Sequence, residues 1–234
     1  MLGKLVVFEG GEGAGKTTQL NRVQAWLSSS GWLERIEQNL PPGTPTIMVT
    51  REPGGTLLGK TLRKLLLDQT TLGNEPLSQI AELLLYAADR AQHVSHCLRP
   101  HLQQGTLVLC DRYTDSTLAY QGYGRGLDLS IIEQLNQIAT QGLTSDLTLW
   151  LDLEAAAGLA RTQERGQDPE VDIDRMEANA IAFHQRVQSG FRTLAEDAPE
   201  RVIRIDGQQS EEAVAEQIQA VLGQRLQIWY PQLP

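Results

Sequence analysis

The chain of 234 residues carries 20 lysines and arginines against 29 aspartates and glutamates, so its formal net charge is −9 with neutral histidines. A hydrophobic fraction of 41% and a charged fraction of 21% are typical of a globular domain and exclude a disordered chain. The acidic balance argues against a protein that neutralises a nucleic-acid polymer. Two cysteines exclude a disulfide framework, and no apolar stretch approaches the ~20 residues of a membrane span. We therefore expect a cytoplasmic protein with neither a membrane nor a nucleic-acid polymer as partner.

Short apolar runs alternate with longer amphipathic segments along the chain. The short runs predict buried strands at Leu5–Phe8, Ile47–Val49, Leu107–Cys110, Leu147–Leu151 and Val202–Ile205. Apolar residues at three- and four-residue spacing predict helices at Gln19–Leu27, Leu57–Leu67, Ile80–Leu102, Ile131–Ile138, Ala155–Arg161, Ala178–Leu194 and Ala213–Leu226. Strands that alternate with helices form a parallel sheet covered on both faces. The pattern predicts a single three-layer α/β domain over residues 1–234.

A glycine-rich segment stands between the first predicted strand and the first predicted helix, and it satisfies the phosphate-binding pattern G-x-x-x-x-G-K-[ST]. Its backbone N–H groups can wrap a polyphosphate, while Lys16 reaches the β- and γ-phosphates and the Thr17 hydroxyl binds Mg²⁺. The segment does not satisfy the dinucleotide-binding motif G-x-G-x-x-G, because Lys16 occupies the position of its last glycine when Gly11 and Gly13 begin it. The alternative is a glycine-rich turn without a ligand. The predicted ATP-binding residues here are Gly10, Gly11, Glu12, Gly13, Ala14, Gly15, Lys16, Thr17 and Thr18.

Charged residues follow the second and third predicted strands. Because the carboxyl ends of parallel strands meet at one sheet edge, Asp111 is expected to serve Mg²⁺ and Arg112 a phosphate. Arg51 precedes a Pro-Gly-Gly turn, and its planar guanidinium suits bidentate phosphate binding. Two alternatives stay open: Asp111 caps a helix with Arg112 as its surface partner, or Arg51 pairs with Glu52 in solvent. Several arginines at one edge favour a second anionic substrate.

Six segments of the chain occur in a recognisable order: FEGGEGAGKTT at 8–18, TREPGGT at 50–56, YAADRAQH at 86–93, DRY at 111–113, STLAYQG at 116–122 and DRME at 174–177. In content and order, these segments resemble the thymidylate kinase family of nucleoside monophosphate kinases. The resemblance implies a P-loop fold with a five-stranded parallel sheet and a mobile lid at about 161–177. It also implies phosphoryl transfer from ATP to thymidine monophosphate (dTMP) with Mg²⁺, in dTTP biosynthesis, by an enzyme that is usually a homodimer.

The resemblance also implies roles for single residues around the acceptor nucleotide. Glu12 would accept a hydrogen bond from the deoxyribose 3′-hydroxyl, and Arg51 and Arg112 would hold the acceptor phosphate. Tyr86 stands where the family usually has a phenylalanine stacked on thymine, and Arg90 follows one helical turn later; the alternative for Tyr86 is an ordinary core aromatic. The residues implied at the dTMP site are Glu12, Arg51, Tyr86, Arg90, Arg112, Thr117, Tyr120 and Gln121.

The catalytic cations implied by the resemblance include arginines of the lid. Arg165 is the expected transition-state cation and Arg161 the second candidate, at the ATP side; the alternative is a solvated charged loop. Glu9 is expected either to approach Mg²⁺ through water or to hold the phosphate-binding loop. The predicted catalytic residues are Lys16, Arg51, Arg112 and Arg165, and the predicted metal-site residues are Glu9, Thr17 and Asp111.

Two other functions compete with this interpretation. A nucleoside monophosphate kinase with another acceptor would share the fold and the phosphate chemistry. A P-loop module without kinase activity would bind nucleotide and change conformation to engage a partner protein. Dependence of ATP turnover on an acceptor monophosphate distinguishes the three.

Overall fold

The computed structural model describes residues 3–68, 76–165 and 180–231. The strands are β1 (Lys4–Gly10), β2 (Ile47–Arg51), β3 (Leu107–Asp111), β4 (Leu147–Asp152) and β5 (Val202–Asp206). The α-helices of the described ranges are α1 (Lys16–Ser29), α2 (Trp32–Glu37), α3 (Leu57–Leu67), α4 (Gln79–His93), α5 (Arg99–Gln104), α6 (Thr114–Thr117), α7 (Leu129–Thr140), α8 (Ala155–Arg165), α9 (Ile181–Asp197) and α10 (Glu211–Trp229). Two segments of π-helix geometry, Val94–Leu98 and Leu118–Gly124, continue α4 and α6.

The five strands form one parallel sheet in the order β2-β3-β1-β4-β5. All five predicted strands are confirmed, and helices flank the sheet as an α/β fold requires. The second predicted strand differs in one respect: β2 is an edge strand and only half-buried, with Val49 38% exposed. An apolar run predicts burial on both faces, but an edge position leaves one side of the strand without a neighbour.

The side chains of β1 explain the three layers. Val6 and Phe8 belong to the hydrophobic cluster that includes residues of α1 and α10. Leu5 and Val7 point to the opposite face and pack with Val94 of the π-helical segment. Because successive side chains of a strand alternate between faces, a strand covered on both sides must be apolar throughout. This places β1, and the loop that follows it, at the centre of the molecule.

The helices agree with the amphipathic pattern except where they are short. The single helix predicted at Ile80–Leu102 is a continuous rod in which α4 and α5 are joined by the π-helical segment Val94–Leu98. The amphipathic pattern does not predict the six-residue α2 or the four-residue α6, because neither is long enough to show a helical period. The family resemblance does imply a short helix at Thr117–Gln121, where α6 and the π-helical segment lie. No helix in the described ranges is long and apolar enough to cross a membrane. Most of the predicted lid, residues 166–177, and the side chain of Arg165 lie outside the described residues.

Candidate active site

A cavity of about 860 Å³ opens at the carboxyl ends of β1, β2 and β3. This is the edge at which parallel α/β sheets bind ligands, because the loops that follow neighbouring strands converge there. Its walls come from the phosphate-binding loop, the turn after β2, helices α3 and α4, residues 111–121, helix α8 and the loop before α10. Most of the predicted site residues therefore face a single cavity. The exceptions are Gly10, Gly11 and Glu9, which do not line it, and Arg165, whose side chain is outside the described residues.

The phosphate-binding loop has the backbone geometry that its glycines predict. Gly13 and Gly15 adopt positive φ angles of 68° and 86°, and Gly15 caps the start of α1 in the left-handed conformation. Lys16 bends back over the loop, and its Nζ donates to the carbonyl groups of Gly10 (3.1 Å) and Gly11 (2.8 Å). Burial and the nearby charge of Arg112 lower the pKa of Lys16. The loop therefore presents backbone N–H groups and one constrained cation to the cavity.

Arg112 joins the third strand to the phosphate-binding loop. Its Nη2 donates to Glu12 Oε1 at 2.7 Å and to the Tyr120 hydroxyl at 3.1 Å, and its Nη1 donates to Gly10 O at 3.0 Å. The Tyr120 hydroxyl donates to the same oxygen of Glu12 at 2.7 Å. Although burial by itself raises the pKa of Glu12, Arg112 and Lys16 lower it to about 2. The Glu12 carboxylate is therefore ionised and fixed in place, ready to accept a hydrogen bond.

Glu9 holds the segment that follows β3. It is fully buried, and its Oε1 accepts from the backbone N–H groups of Tyr113 (2.8 Å) and Ser116 (3.1 Å), while Oε2 accepts from the Ser116 hydroxyl (2.6 Å). Burial and the charge of Asp115 raise the pKa of Glu9 to about 7. These contacts favour a structural role for Glu9, in the segment after β3 rather than in the phosphate-binding loop; an approach to a metal stays a prediction.

The contacts of Glu9 and Arg112 test the alternative in which Asp111 caps a helix and Arg112 is its surface partner. The N-terminal N–H groups of the segment that contains α6 are bound by Glu9, not by Asp111, and α6 has no side-chain cap of its own. Arg112 pairs with Glu12 inside the cavity instead of with Asp111 at the surface. The interpretation of Asp111 as a helix cap with Arg112 as its surface partner is therefore wrong.

Asp111 and Thr17 form a pair of oxygen donors beside the phosphate-binding loop. Thr17 Oγ1 lies 3.5 Å from Asp111 Oδ2, and the buried Oδ1 of Asp111 has no hydrogen-bond partner among the described atoms. One hydroxyl and one carboxylate are the hard ligands that Mg²⁺ takes from protein when phosphate oxygens complete its shell. No cluster of three or more histidine, cysteine or acidic side chains within the described ranges could hold a metal alone. The donor set fits a cation that arrives with a nucleotide.

Hydrogen bonds to buried carboxylates hold the turn after β2 in place. Glu52 is buried, and its two carboxylate oxygens accept from Arg90 Nε (2.9 Å) and His93 Nδ1 (2.8 Å). The Asp89 carboxylate accepts from Gly54 N at 3.1 Å. The alternative in which Arg51 pairs with Glu52 in solvent is therefore wrong. Arg51 itself is exposed and lines the cavity, where its guanidinium can reach an anion.

Arg90 makes buried hydrogen bonds between separate elements of the fold and also lines the cavity. It is only 2% exposed, and besides Glu52 it donates to Asn136 Oδ1 at 2.6 Å and to Tyr113 O at 3.0 Å. These contacts use three of the five N–H donors of its guanidinium. Tyr86, four residues earlier in α4, is half-buried and lines the same cavity. Tyr86 is therefore not enclosed in the core, contrary to the alternative that treats it as an ordinary core aromatic.

The segment that follows β3 supplies the remaining predicted residues. Thr117, Tyr120 and Gln121 are buried and line the cavity. The side-chain amide of Gln121 donates from Nε2 to the buried carboxylate of Glu82 at 2.8 Å. On the opposite wall, Arg161 of α8 is exposed and faces the cavity. The cavity thus has arginines on both sides.

Among the cavity-lining residues that sequence reasoning missed are two groups on separate elements. Arg63 and Leu67 extend the cavity wall along α3, and Arg63 Nη1 also donates to Pro53 O at 3.1 Å. Their spacing shows only an amphipathic helix, so no sequence signal separates them from surface residues. The second group lies in the loop before α10 and at the start of that helix, whose N-cap Ser210 was a usable helix-start signal. The cavity-lining residues of this loop and of the first turn of α10 are Gly207, Gln209, Ser210, Glu211 and Val214.

The fold and the site together define a P-loop phosphotransferase with space for a second anionic substrate beside the phosphate-binding loop. The family model described as thymidylate kinase matches residues 8–218. The chain belongs to the thymidylate kinase family, whose members phosphorylate thymidine monophosphate to thymidine diphosphate.

Relatives over the full length support this assignment. The thymidylate kinase of Acaryochloris marina (strain MBIC 11017) is 67% identical over 231 residues, which cover 99% of this chain and 100% of the relative. That of Cyanothece sp. (strain PCC 7425 / ATCC 29141) is 59% identical over 233 residues, 100% of this chain and 99% of the relative. The crystal structure of thymidylate kinase from Ehrlichia chaffeensis superimposes with a TM-score of 0.70 at 32% identity, over 95% of this chain and 99% of that one.

Proposed function

We propose that this protein transfers the γ-phosphoryl group of MgATP to the 5′-phosphate of dTMP, a step of dTTP biosynthesis, with the residues of the described cavity in the following roles. The observation that supports this most directly is the Glu12–Arg112–Tyr120 cluster, which joins the phosphate-binding loop to the acceptor side of the same cavity. A site for two phosphorylated substrates needs this connection, because phosphoryl transfer depends on their alignment.

The donor phosphates bind to the loop at 10–18. Its backbone N–H groups surround the β- and γ-phosphates, and the ammonium group of Lys16 leaves the carbonyl groups of Gly10 and Gly11 to contact the γ-phosphate. The exposed Arg161 contributes positive charge from the opposite wall. Arg165, one helical turn further along α8, supplies the cation for the charge that develops in the transition state.

Thr17 and Asp111 would hold Mg²⁺, and Oδ1 of Asp111, which has no hydrogen-bond partner among the described atoms, supports this role. When bound, the ion would neutralise negative charge on the transferring phosphoryl group. Glu9 keeps the segment after Asp111 in position through its contacts with Tyr113 and Ser116.

The acceptor dTMP lies on the other side of the phosphate-binding loop. Arg51 and Arg112 hold its phosphate in line with the γ-phosphoryl group of ATP. The ionised Glu12 accepts a hydrogen bond from the 3′-hydroxyl of the deoxyribose. Tyr86 stacks on the thymine ring with its aromatic face. Two donors of the Arg90 guanidinium have no acceptor among the described residues, which leaves Arg90 able to bind a thymine carbonyl. Thr117, Tyr120 and Gln121 flank the nucleoside.

The exposed apolar side chains of α4 support a homodimer. Ile80 and Leu84 lie one helical turn apart on α4 and are 53% and 51% exposed, and Ile131 of the neighbouring α7 is 50% exposed. A two-fold contact that buries this face would remove apolar surface from water in both copies. Sedimentation of the wild type at micromolar concentration should give a dimer and of Leu84→Glu a monomer; a monomeric wild type would contradict the dimer.

The test of the function is release of ADP from MgATP in a coupled assay. Reactions contain dTMP, the uridine, cytidine, adenosine or guanosine monophosphate, or no acceptor. Release that depends on dTMP supports the proposal, and dependence on a different monophosphate would overturn the acceptor site while keeping the kinase. Equal release without acceptor, or none under any condition, would favour a nucleotide-binding module of the cytoplasm without kinase activity.

A further inference from the structure

Glu82 is a buried carboxylate outside the cavity wall. It lies in the first turn of α4 and is only 1% exposed. One of its oxygens, Oε1, accepts from Gln121 Nε2 at 2.8 Å and is approached by Arg125 Nε at 3.4 Å; the other, Oε2, is approached by Arg125 Nη2 at 3.3 Å. Gln121 is itself buried and lines the cavity. Glu82 therefore stands directly behind a residue of the proposed base site.

The charge of Glu82 decides which way the Gln121 amide points. A side-chain amide has a donor end and an acceptor end of nearly equal size. In the observed orientation the N–H donor meets the carboxylate. The reversed orientation would place the amide carbonyl oxygen about as close to a carboxylate oxygen as the nitrogen is now, and two acceptors at that distance repel. The nitrogen end is therefore fixed toward Glu82, and the carbonyl oxygen is the end that Gln121 can offer elsewhere.

We propose that Glu82 is a positioning residue that sets the base preference of the acceptor site through Gln121. A fixed carbonyl oxygen accepts a hydrogen bond from a pyrimidine with an N3–H donor, as in thymine and uracil. Cytosine has an unprotonated N3 and would meet it acceptor to acceptor. The inference rests on the function proposed above, since it assumes that the base of the acceptor nucleotide lies against Gln121.

The burial of Glu82 is hard to explain by packing alone. A buried carboxylate destabilises a fold unless it is fully paired, and an apolar side chain would fill the same helical position at lower cost. Arg125 supplies the countercharge, and its guanidinium also lies over the Phe183 ring at 4.9 Å. The pair with Arg125 offsets the burial of the charge. The contact with Gln121 links that charge to the cavity.

The first test compares Glu82→Gln with wild type. A glutamine at position 82 can donate or accept, so it tolerates both orientations of Gln121. We expect the ratio of kcat/KM for dTMP to that for deoxycytidine monophosphate to fall about tenfold, which corresponds to one hydrogen bond, with the loss for dTMP mainly in KM. The ratio of dTMP to deoxyuridine monophosphate should stay within about twofold, since both bases carry N3–H.

Arg125→Lys is the matched control. It loosens the other contact of Glu82 but keeps the positive charge and leaves the Gln121 contact in place. We expect the preference for dTMP over deoxycytidine monophosphate to stay within about twofold of wild type. If Arg125→Lys loses the preference to the same extent as Glu82→Gln, packing explains the effect and the proposal is overturned.

A double variant that exchanges the residue types at positions 82 and 121 tests the proposal even if Glu82→Gln alone folds poorly. Gln121→Glu alone brings two carboxylates together and should weaken dTMP affinity strongly. The double variant Glu82→Gln, Gln121→Glu restores an N–H to oxygen contact with reversed polarity and again offers an oxygen to the cavity. We expect dTMP affinity, measured by calorimetry, to recover to within about tenfold of wild type; a double variant as weak as the single one overturns the proposal.

The proposed function and this inference fail in different ways. Wild type without dTMP-dependent turnover would overturn the function and the inference with it. Wild type with that turnover, combined with an unchanged preference in Glu82→Gln or with equal changes in both substrate ratios, would overturn the inference alone.

Discussion

Gly158 of α8 packs directly against the backbone of Glu12 in the phosphate-binding loop. A Cβ atom at position 158 would lie 2.2 Å from Glu12 O, and a Cβ atom at Gly13 would lie 2.2 Å from Gly158 O. Neither position has room for a side chain. The helix that carries Arg161 and Arg165 is therefore in backbone contact with the loop that is proposed to hold the donor phosphates.

The first prediction tests this contact with Gly158→Ala. The added methyl group must move either α8 or the loop, and overpacking of this kind costs about 1–3 kcal/mol of stability. We expect kcat to fall by ~10², since a displacement of about 1 Å in a site that aligns two substrates has an effect of that size. Steady-state kinetics and urea unfolding provide the measurements.

Gly223→Ala is the control for this substitution. Gly223 is also helical, but a Cβ atom there would have its nearest neighbour, in Trp26, at 3.8 Å. Alanine in place of a helical glycine should stabilise the protein by about 0.5–1 kcal/mol and leave kcat unchanged. A Gly158→Ala variant that behaves like Gly223→Ala would show that the contact between α8 and the loop does not matter for turnover.

The second prediction concerns the shape of the Arg112 side chain. Its guanidinium contacts Gly10 O, Glu12 and the Tyr120 hydroxyl together, and a lysine ammonium cannot reproduce this fork. We expect Arg112→Lys to lower kcat/KM for dTMP by ~10² while the KM for ATP changes less than about twofold. Arg225→Lys, which alters a surface contact with Glu200 O, should have no effect. Equal losses for both substrates would instead indicate a general collapse of the loop.

The third prediction addresses the lid arginines. We expect Arg165→Ala to lower kcat by ~10² or more and to leave the affinity for dTMP largely intact, because the lost interaction exists mainly in the transition state. Arg161→Ala, one helical turn earlier, should have the smaller effect on kcat. Single-turnover kinetics and calorimetric binding of dTMP separate the two quantities. Unchanged turnover in Arg165→Ala would remove this residue from the mechanism.

The fourth prediction is a pH dependence of stability. Burial by itself lowers the pKa of His93, but its contacts with Cys97 and Glu52 raise it to about 9 from an ordinary value of 6.5. Because the folded state binds this proton more tightly, the stabilisation is fully present below pH 6.5 and is lost as the pH rises to about 9. Its upper limit is on the order of 3 kcal/mol, from about 1.4 kcal/mol per unit of pKa.

The measurement is urea unfolding of wild type and His93→Gln between pH 6 and pH 10. The difference in unfolding free energy between the two should shrink as the pH rises through this range, because the variant lacks the titrating group. Burial and the charge of Glu52 raise the pKa of Asp89 to about 6, and His93 lowers it, so the substitution also changes the pKa of Asp89. The fall of the difference between about pH 7 and pH 9 is therefore the part that reports on His93. A difference that stays constant with pH would show that His93 does not change its protonation there.

Local patterns explain why much of the fold was predictable. A strand covered on both faces must be apolar throughout, so β1, β3 and β4 are visible as runs of consecutive apolar residues. The phosphate-binding loop is contiguous in sequence. Gly13 and Gly15 adopt positive φ angles that favour glycine, so the sequence motif predicts the conformation of the loop directly. The carboxyl ends of parallel strands meet at one edge, which is why Arg51, Asp111 and the loop could be expected together.

The alternatives were decided by contacts between residues far apart in sequence. Glu52 pairs with Arg90 and His93 rather than with the adjacent Arg51, and Glu9 binds Tyr113 and Ser116 at the start of the segment where Asp111 was the alternative cap. Such pairings depend on the packing of several elements, and no period or motif encodes them.

The sequence by itself therefore determined the strands of the sheet and the phosphate-binding loop, because each of these depends on short stretches whose physical requirements are local. The kinase chemistry came from the resemblance of several such stretches, in order, to one family. Only the tertiary structure decided which carboxylates are structural and which face the cavity. It also determined that Glu82 stands behind Gln121 and that Gly158 touches Glu12. The reason is that burial and hydrogen bonding of a polar side chain depend on neighbours contributed by distant elements, and those neighbours are set by packing.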